Sequence, residues 1–155
     1  MSSITMLTAQ QLSSPDWEEG VVSWVNDAPQ EKLIAWLLTM IQMTAAGQDK
    51  EVMQCVADIR RWLTGRDDDC RWRIFQQAET LGFSTPAGAV GLAVFWLGGS
   101  MTPAEFEPVY AEPHLVPLML NTAIKLLSIG LAAENPPFTG AEQLWSRWSV
   151  VQGGA

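Results

Sequence analysis

His114 is the only histidine in the chain, and Glu112, two residues before it, is the nearest carboxylate. Together they could do general acid/base work. A metal centre or a Ser-His or Cys-His nucleophile would need further partners, and the flanking residues include prolines instead. The position reads as a helix start in a surface loop. Asp67-Asp68-Asp69 is the densest acidic run, but a calcium loop needs ligands at alternate positions, a glycine and a later bidentate Glu. Three consecutive aspartates suit a helix N-terminus, whose free N–H groups and dipole attract negative charge. Gly88-Ala-Val-Gly91 and Leu97-Gly98-Gly99-Ser100 lack the lysine of a phosphate loop and follow no strand. Gly98-Gly99 instead reads as a helix end with positive φ. Cys55 and Cys70 form no CxxC or Cys/His set and read as reduced, buried thiols. No catalytic residue, metal ligand or cofactor site is predicted.

Arginine and tryptophan offer a different chemistry. Arg60, Arg61, Arg66, Arg71 and Arg73 are the only basic concentration, interleaved with Trp62 and Trp72. Both residue types are enriched at protein-interface hot spots. Two readings stay open here: a protein-binding patch, or a solvated helix face with Trp62 and Trp72 in the core. Tyr110 stands between prolines, and Trp145 and Trp148 lie in an apolar tail that either docks on the domain or meets a partner. The candidate partner-binding set is therefore Arg61, Trp62, Arg66, Arg71, Trp72, Tyr110, Trp145 and Trp148.

The elements that must position these residues read as helices. Ser14-Pro15-Asp16 starts one that runs to about Asn26. Asp27, with Gln30 as a capping box, starts a second, apolar nearly all round and closed by Gly47. Asp49 opens a third through Thr64, with Val52, Val56, Ile59 and Leu63 inward and Glu51, Gln54, Asp58 and Arg61 outward. Asp67–Asp69 begin a fourth, whose inner side is Trp72, Phe75 and Ala78. Thr85-Pro86 begins a fifth, ended by Gly98-Gly99. In it, Ala87 and Gly91 fall one turn apart and admit a close neighbour. Thr102-Pro103-Ala104-Glu105 predicts a single helical turn inside an irregular, proline-rich segment near residues 100–117. A long helix covers about His114 to Ala133, and a short one follows the Thr139–Glu142 capping box. Strands find no support. The expected fold is all-α, with an N-terminal arm at 1–13, partly ordered, and one compact domain of about six helices at 14–151. Trp36, Leu37, Val56, Ile59, Phe75, Val94, Trp96 and Leu126 are the expected core.

Composition bounds the function. The 155 residues carry 9 basic and 17 acidic side chains, a net charge of −8. Residues 1–80 hold 7 of the basic and 12 of the acidic groups; beyond them only Lys125 and Arg147 are basic. That balance opposes a nucleic-acid role, since phosphate binding comes mostly from Lys and Arg. Eight tryptophans and 17% charged residues oppose disorder. Pro86 and Gly98-Gly99 confine the most apolar segment to about 12 helical residues, short of the roughly 20 that cross a bilayer. No basic n-region or apolar h-region begins the chain, so a cytoplasmic protein without a membrane segment is expected.

Phe95-Trp96-Leu97-Gly98-Gly99-Ser100-Met101, the proline-broken stretch through Pro113 and the Ala/Leu-rich helix after it resemble an uncharacterised family of small bacterial helical proteins encoded in type VI secretion gene clusters. The resemblance brings no catalytic residues. It implies a cytoplasmic accessory protein whose partner is a secreted effector or a secretion component. The expected function is thus non-enzymatic protein interaction, as an effector adaptor or chaperone. An acidic immunity-type inhibitor of a toxin is the alternative. An enzyme would need a pocket bringing His114 to distant carboxylates.

Overall fold

A computed structural model describes residues 3–153 of the chain. It holds eight α-helices among these residues and no strand: α1 Ser3–Leu12, α2 Trp17–Asp27, α3 Gln30–Gln42, α4 Lys50–Gly65, α5 Asp68–Leu81, α6 Pro86–Gly98, α7 Leu115–Ala132 and α8 Pro137–Gly153. A single 3-10 turn, Ala46–Gln48, lies between α3 and α4. The count exceeds six because most of the segment expected to be an arm forms α1, whose Leu12 is fully buried, and because the short terminal helix is a full element, α8. Residues 1–2 lie outside the described residues.

Local chemistry explains most boundaries. Asp49, Asp67 and Thr85 cap α4, α5 and α6 by accepting from the backbone N–H groups of Glu51, Asp69 and Gly88. Asp27 does not cap α3. It is the last residue of α2, because Ala28 precedes a proline and turns extended (φ −81°, ψ 143°). α3 then starts after Pro29 with no side-chain cap. Gly47 does not close α3, which ends five residues earlier, at Gln42. α8 is seventeen residues long rather than short. It begins at Pro137, and the Thr139 hydroxyl donates back to the Pro136 carbonyl.

From α4 onward each helix packs on the next, so α4, α5, α6, α7 and α8 follow one another through space as in sequence. α3 covers α4, α6 and α7, while α2 closes against α7 and α8, and α1 against α2 and α8. α6 lies inside, with every residue from Ala87 to Phe95 buried. Gly91 permits that position, because an added Cβ would stand 2.9 Å from the Ala78 Cβ of α5. α7 is long and apolar enough to cross a membrane by length and composition alone, and here it packs between α6 and α8.

The core is one cluster. Trp36, Leu37, Val56, Ile59 and Val94 lie in it, whereas Phe75, Trp96 and Leu126 are only half-buried. Four tryptophans join α2, α3 and α8. Trp145 meets Trp24 edge-on at 5.2 Å, Trp148 meets Trp36 edge-on at 5.3 Å, and Trp24 lies 5.7 Å from Trp36. Such pairs contribute roughly 0.5–1.5 kcal/mol each beyond area burial.

The α7–α8 crossing is close enough to forbid a side chain at Gly140, where a Cβ would fall 1.8 Å from the Ser128 carbonyl oxygen. Gly130, on the open side of α7, has nothing within 4 Å of that position. Gly140→Ala should lose about 2–3 kcal/mol in urea unfolding. Gly130→Ala should be unchanged or more stable by up to ~1 kcal/mol. Equal midpoints for the two variants would refute this packing.

Candidate interaction site

Asp67 caps α5 and so fixes the helical register at which Arg71 leaves the helix. Arg71 is 2% exposed. Its Nε donates to Asp68 Oδ1 (2.6 Å), Nη1 to the Phe95 carbonyl (2.8 Å) and Nη2 to the Ser100 carbonyl (3.0 Å). The guanidinium carbon also lies 4.6 Å from the Phe95 ring centre and 5.5 Å from that of Trp72. A cation removed from water needs this set, because an unpaired buried charge costs several kcal/mol. The inward side of α5 is therefore Cys70, Arg71, Ile74 and Ala78. Trp72 and Phe75 are not its core side. They lie half-buried at its edge, edge-on to one another, with Phe95 at 4.8 Å and 4.5 Å respectively.

Gly98 and Gly99 make the passage for this side chain. A Cβ at Gly98 would meet Trp62 Cζ2 at 2.5 Å and Arg71 Cδ at 2.6 Å. Gly99 is extended (φ 163°, ψ −158°), so close approach, not a left-handed backbone, is what requires glycine at the end of α6. The segment Phe95–Ser100 is thus the receptor for Arg71: one ring, two carbonyls and two residues without side chains.

Beyond Ser100 the chain closes a loop on itself. The Met101 N–H donates to the Val109 carbonyl (2.7 Å), and the Val109 N–H donates to Ser100 Oγ (2.9 Å). Ser100 Oγ also accepts from the Thr102 N–H (3.1 Å), and the Thr102 hydroxyl donates to the Glu107 carbonyl (2.7 Å). Thr102 is therefore not a helix cap. The expected helical turn is replaced by one bend, in which the Phe106 N–H reaches the Pro103 carbonyl. Pro103 and Pro108 fix two φ angles within the closed loop.

The loop turns its apolar side chains outward. Every residue from Pro103 to Tyr110 is exposed; Met101 is 37% exposed, Val109 48%, Phe106 62% and Tyr110 68%. Tyr110 is the expected binding residue here. Phe106, Val109 and Met101 escaped the sequence reading, and the signal for them was an apolar set between prolines with no helical period. His114, the N-terminal cap of α7, is exposed and makes no side-chain hydrogen bond or ion pair among the described residues.

The remaining expected residues tie the domain together. Trp62 is buried, with the Arg66 guanidinium 4.2 Å above its ring, and Arg66 pairs with Glu31. Trp148 is 4% exposed and Trp145 half-buried in the tryptophan cluster. Arg60 donates to Gln42 Oε1 (2.8 Å) on α3. Arg61 and Arg73 flank Asp58, which lies on the outward side of α4 by sequence yet is fully buried. The arginine concentration therefore joins α3, α4, α5 and α6. Of the expected partner-binding set, Trp62, Arg71 and Trp148 have no surface to offer.

Asp58 has its own donors. Gln77 Nε2 (2.7 Å), Arg73 Nε (3.2 Å) and Gln54 Nε2 (3.3 Å) all reach Oδ2. Burial pushes the carboxyl up, but these hydrogen bonds and the Arg73 charge outweigh it and hold it below its ordinary value. Beside it, burial and then the Asp58 charge push the Cys55 thiol up to about 12, and burial raises Cys70 as well. Both stay protonated at neutral pH, unsuited to nucleophilic work. The groove over this cluster, about 270 Å³, is lined by Glu51, Gln54, Arg73, Gln76, Gln77, Thr80 and Leu81.

Because Asp58 is more acidic folded than unfolded, its stabilisation is complete above about pH 4 and disappears as pH falls through the lower folded value. Asp58→Asn should lose about 1–3 kcal/mol at pH 7. Its stability should then fall less steeply than wild type below pH ~4. Urea unfolding from pH 7 to 2.5 reads both, and parallel curves would contradict the assignment.

No curated protein and no solved structure matches the chain. A family model matches residues 8–144, a span that includes Asp58, Arg71, the Phe95–Ser100 receptor and the whole closed loop. The chain belongs to DUF6931, a family of unknown function.

Proposed function

We propose that this protein is a non-enzymatic interaction module that presents the closed loop after α6 to another protein. The observation that carries the reading is the outward Phe106, Val109 and Tyr110 on a backbone held by Ser100 and Arg71. Aromatic side chains on a preorganised loop bind with little further ordering cost, as interface anchors do. Three large apolar side chains exposed within five residues of one closed loop are the kind of surface that a partner covers. The likeness of Phe95–Met101 to proteins of type VI secretion clusters supports the context: a cytoplasmic adaptor or chaperone for an effector or a secretion component. A second reading, inhibition of a basic toxin, is supported by the net charge of −8. Protection of cells expressing a candidate basic toxin separates inhibitor from adaptor.

Phe106→Ser with Tyr110→Ser should leave the urea midpoint within about 0.5 kcal/mol of wild type, since both side chains are exposed. The same double variant should lose capture of the type VI component that wild type enriches from cells carrying the cluster. Equal capture by both proteins would overturn the reading.

A further inference from the structure

The loop that carries the exposed aromatics also carries three of the five carboxylates beyond residue 80: Glu105, Glu107 and Glu112. All three are exposed, and none forms an ion pair among the described residues. The two cations of this half lie elsewhere, Lys125 toward Glu18 of α2 and Arg147 on α8. The five arginines of the first half are spent on internal ties: Arg60 on α3, Arg61 and Arg73 on Asp58, Arg66 on Glu31, Arg71 on the loop base. Among the described residues no cation pairs with the carboxylates around Phe106 and Tyr110.

We infer that the loop recognises a cationic protein segment, one with Lys or Arg placed around an apolar side chain or pocket that takes Phe106 and Tyr110. This rests on the interaction reading above and adds the chemistry of the partner. The division of labour is physical. Rim carboxylates raise the association rate and reject acidic partners, an effect screened within about 10 Å at 0.1 M salt. Desolvated aromatics govern how long the complex lasts. Phosphate-bearing partners are repelled by the same three charges.

The probe is a phage-displayed library of random twelve-residue peptides, panned against the intact protein and counter-selected on Phe106→Ser/Tyr110→Ser. Peptides that need the two aromatics should be enriched in Lys and Arg. The strongest of them should weaken roughly tenfold between 50 and 500 mM NaCl. Glu105→Gln/Glu107→Gln/Glu112→Gln should lower its association rate by a similar factor and remove most of the salt dependence. Aromatic-dependent peptides with no excess of basic residues, or binding unmoved by the triple variant, would overturn this inference and leave the interaction reading in place. If no selected peptide depends on Phe106 and Tyr110, both fall.

Discussion

The guanidinium of Arg71 connects the helical core to the exposed loop. Taking a cation out of water costs several kcal/mol unless its donors and charge are all answered. Here the answer comes from three elements at once: Asp68 and Trp72 in its own helix, the Phe95 carbonyl and ring in α6, and the Ser100 carbonyl at the loop base. Two of those acceptors are carbonyls at or beyond the end of a helix, groups that lack an intrahelical partner. Arg71 and the end of α6 therefore satisfy one another, and either alone would be a buried unsatisfied group.

Several features follow from that contact. Gly98 and Gly99 must lack side chains because the arginine stem and Trp62 occupy the space. α5 turns Arg71 inward and its aromatics to the edge, where they pack on Phe95. Ser100, fixed through its carbonyl, becomes the post on which the loop closes. A second polar island, Asp58 with Gln54, Arg73 and Gln77, ties α4 to α5 a few turns away and consumes two more arginines. The basic cluster of the sequence is thereby engaged within the fold, while the loop carboxylates form no ion pair among the described residues.

Helix positions were legible from the sequence wherever a side chain does the work locally. Asp49, Asp67 and Thr85 cap where their types predict, and Gly91 marks the close approach of α5. The reading failed where a distant partner decides. Asp58 sits on the polar stripe of α4, and only Arg73 and Gln77 on another helix make its burial tolerable. Arg71 looks like a surface arginine until Phe95 and Ser100, 24 and 29 residues away, are in place. Gly98 matched a left-handed helix end by type, but its requirement is steric and comes from α4 and α5. Of the site, Tyr110 was visible as an aromatic among prolines. Phe106 and Val109 were not, because outward apolar residues in a loop have no period to betray them.

Amide hydrogen exchange at Met101 and Val109 tests most directly whether Arg71 holds the loop. Both N–H groups close it, onto the Val109 carbonyl and Ser100 Oγ respectively, and neither bond involves Arg71. In Arg71→Lys the single ammonium cannot reach all three acceptors at once. Exchange at these two amides should then accelerate at least tenfold, on the order of 1.4 kcal/mol in opening free energy, while Leu120 and Ile124 of α7 keep their protection. Unchanged exchange at Met101 and Val109, or an equal loss throughout α7, would contradict the account.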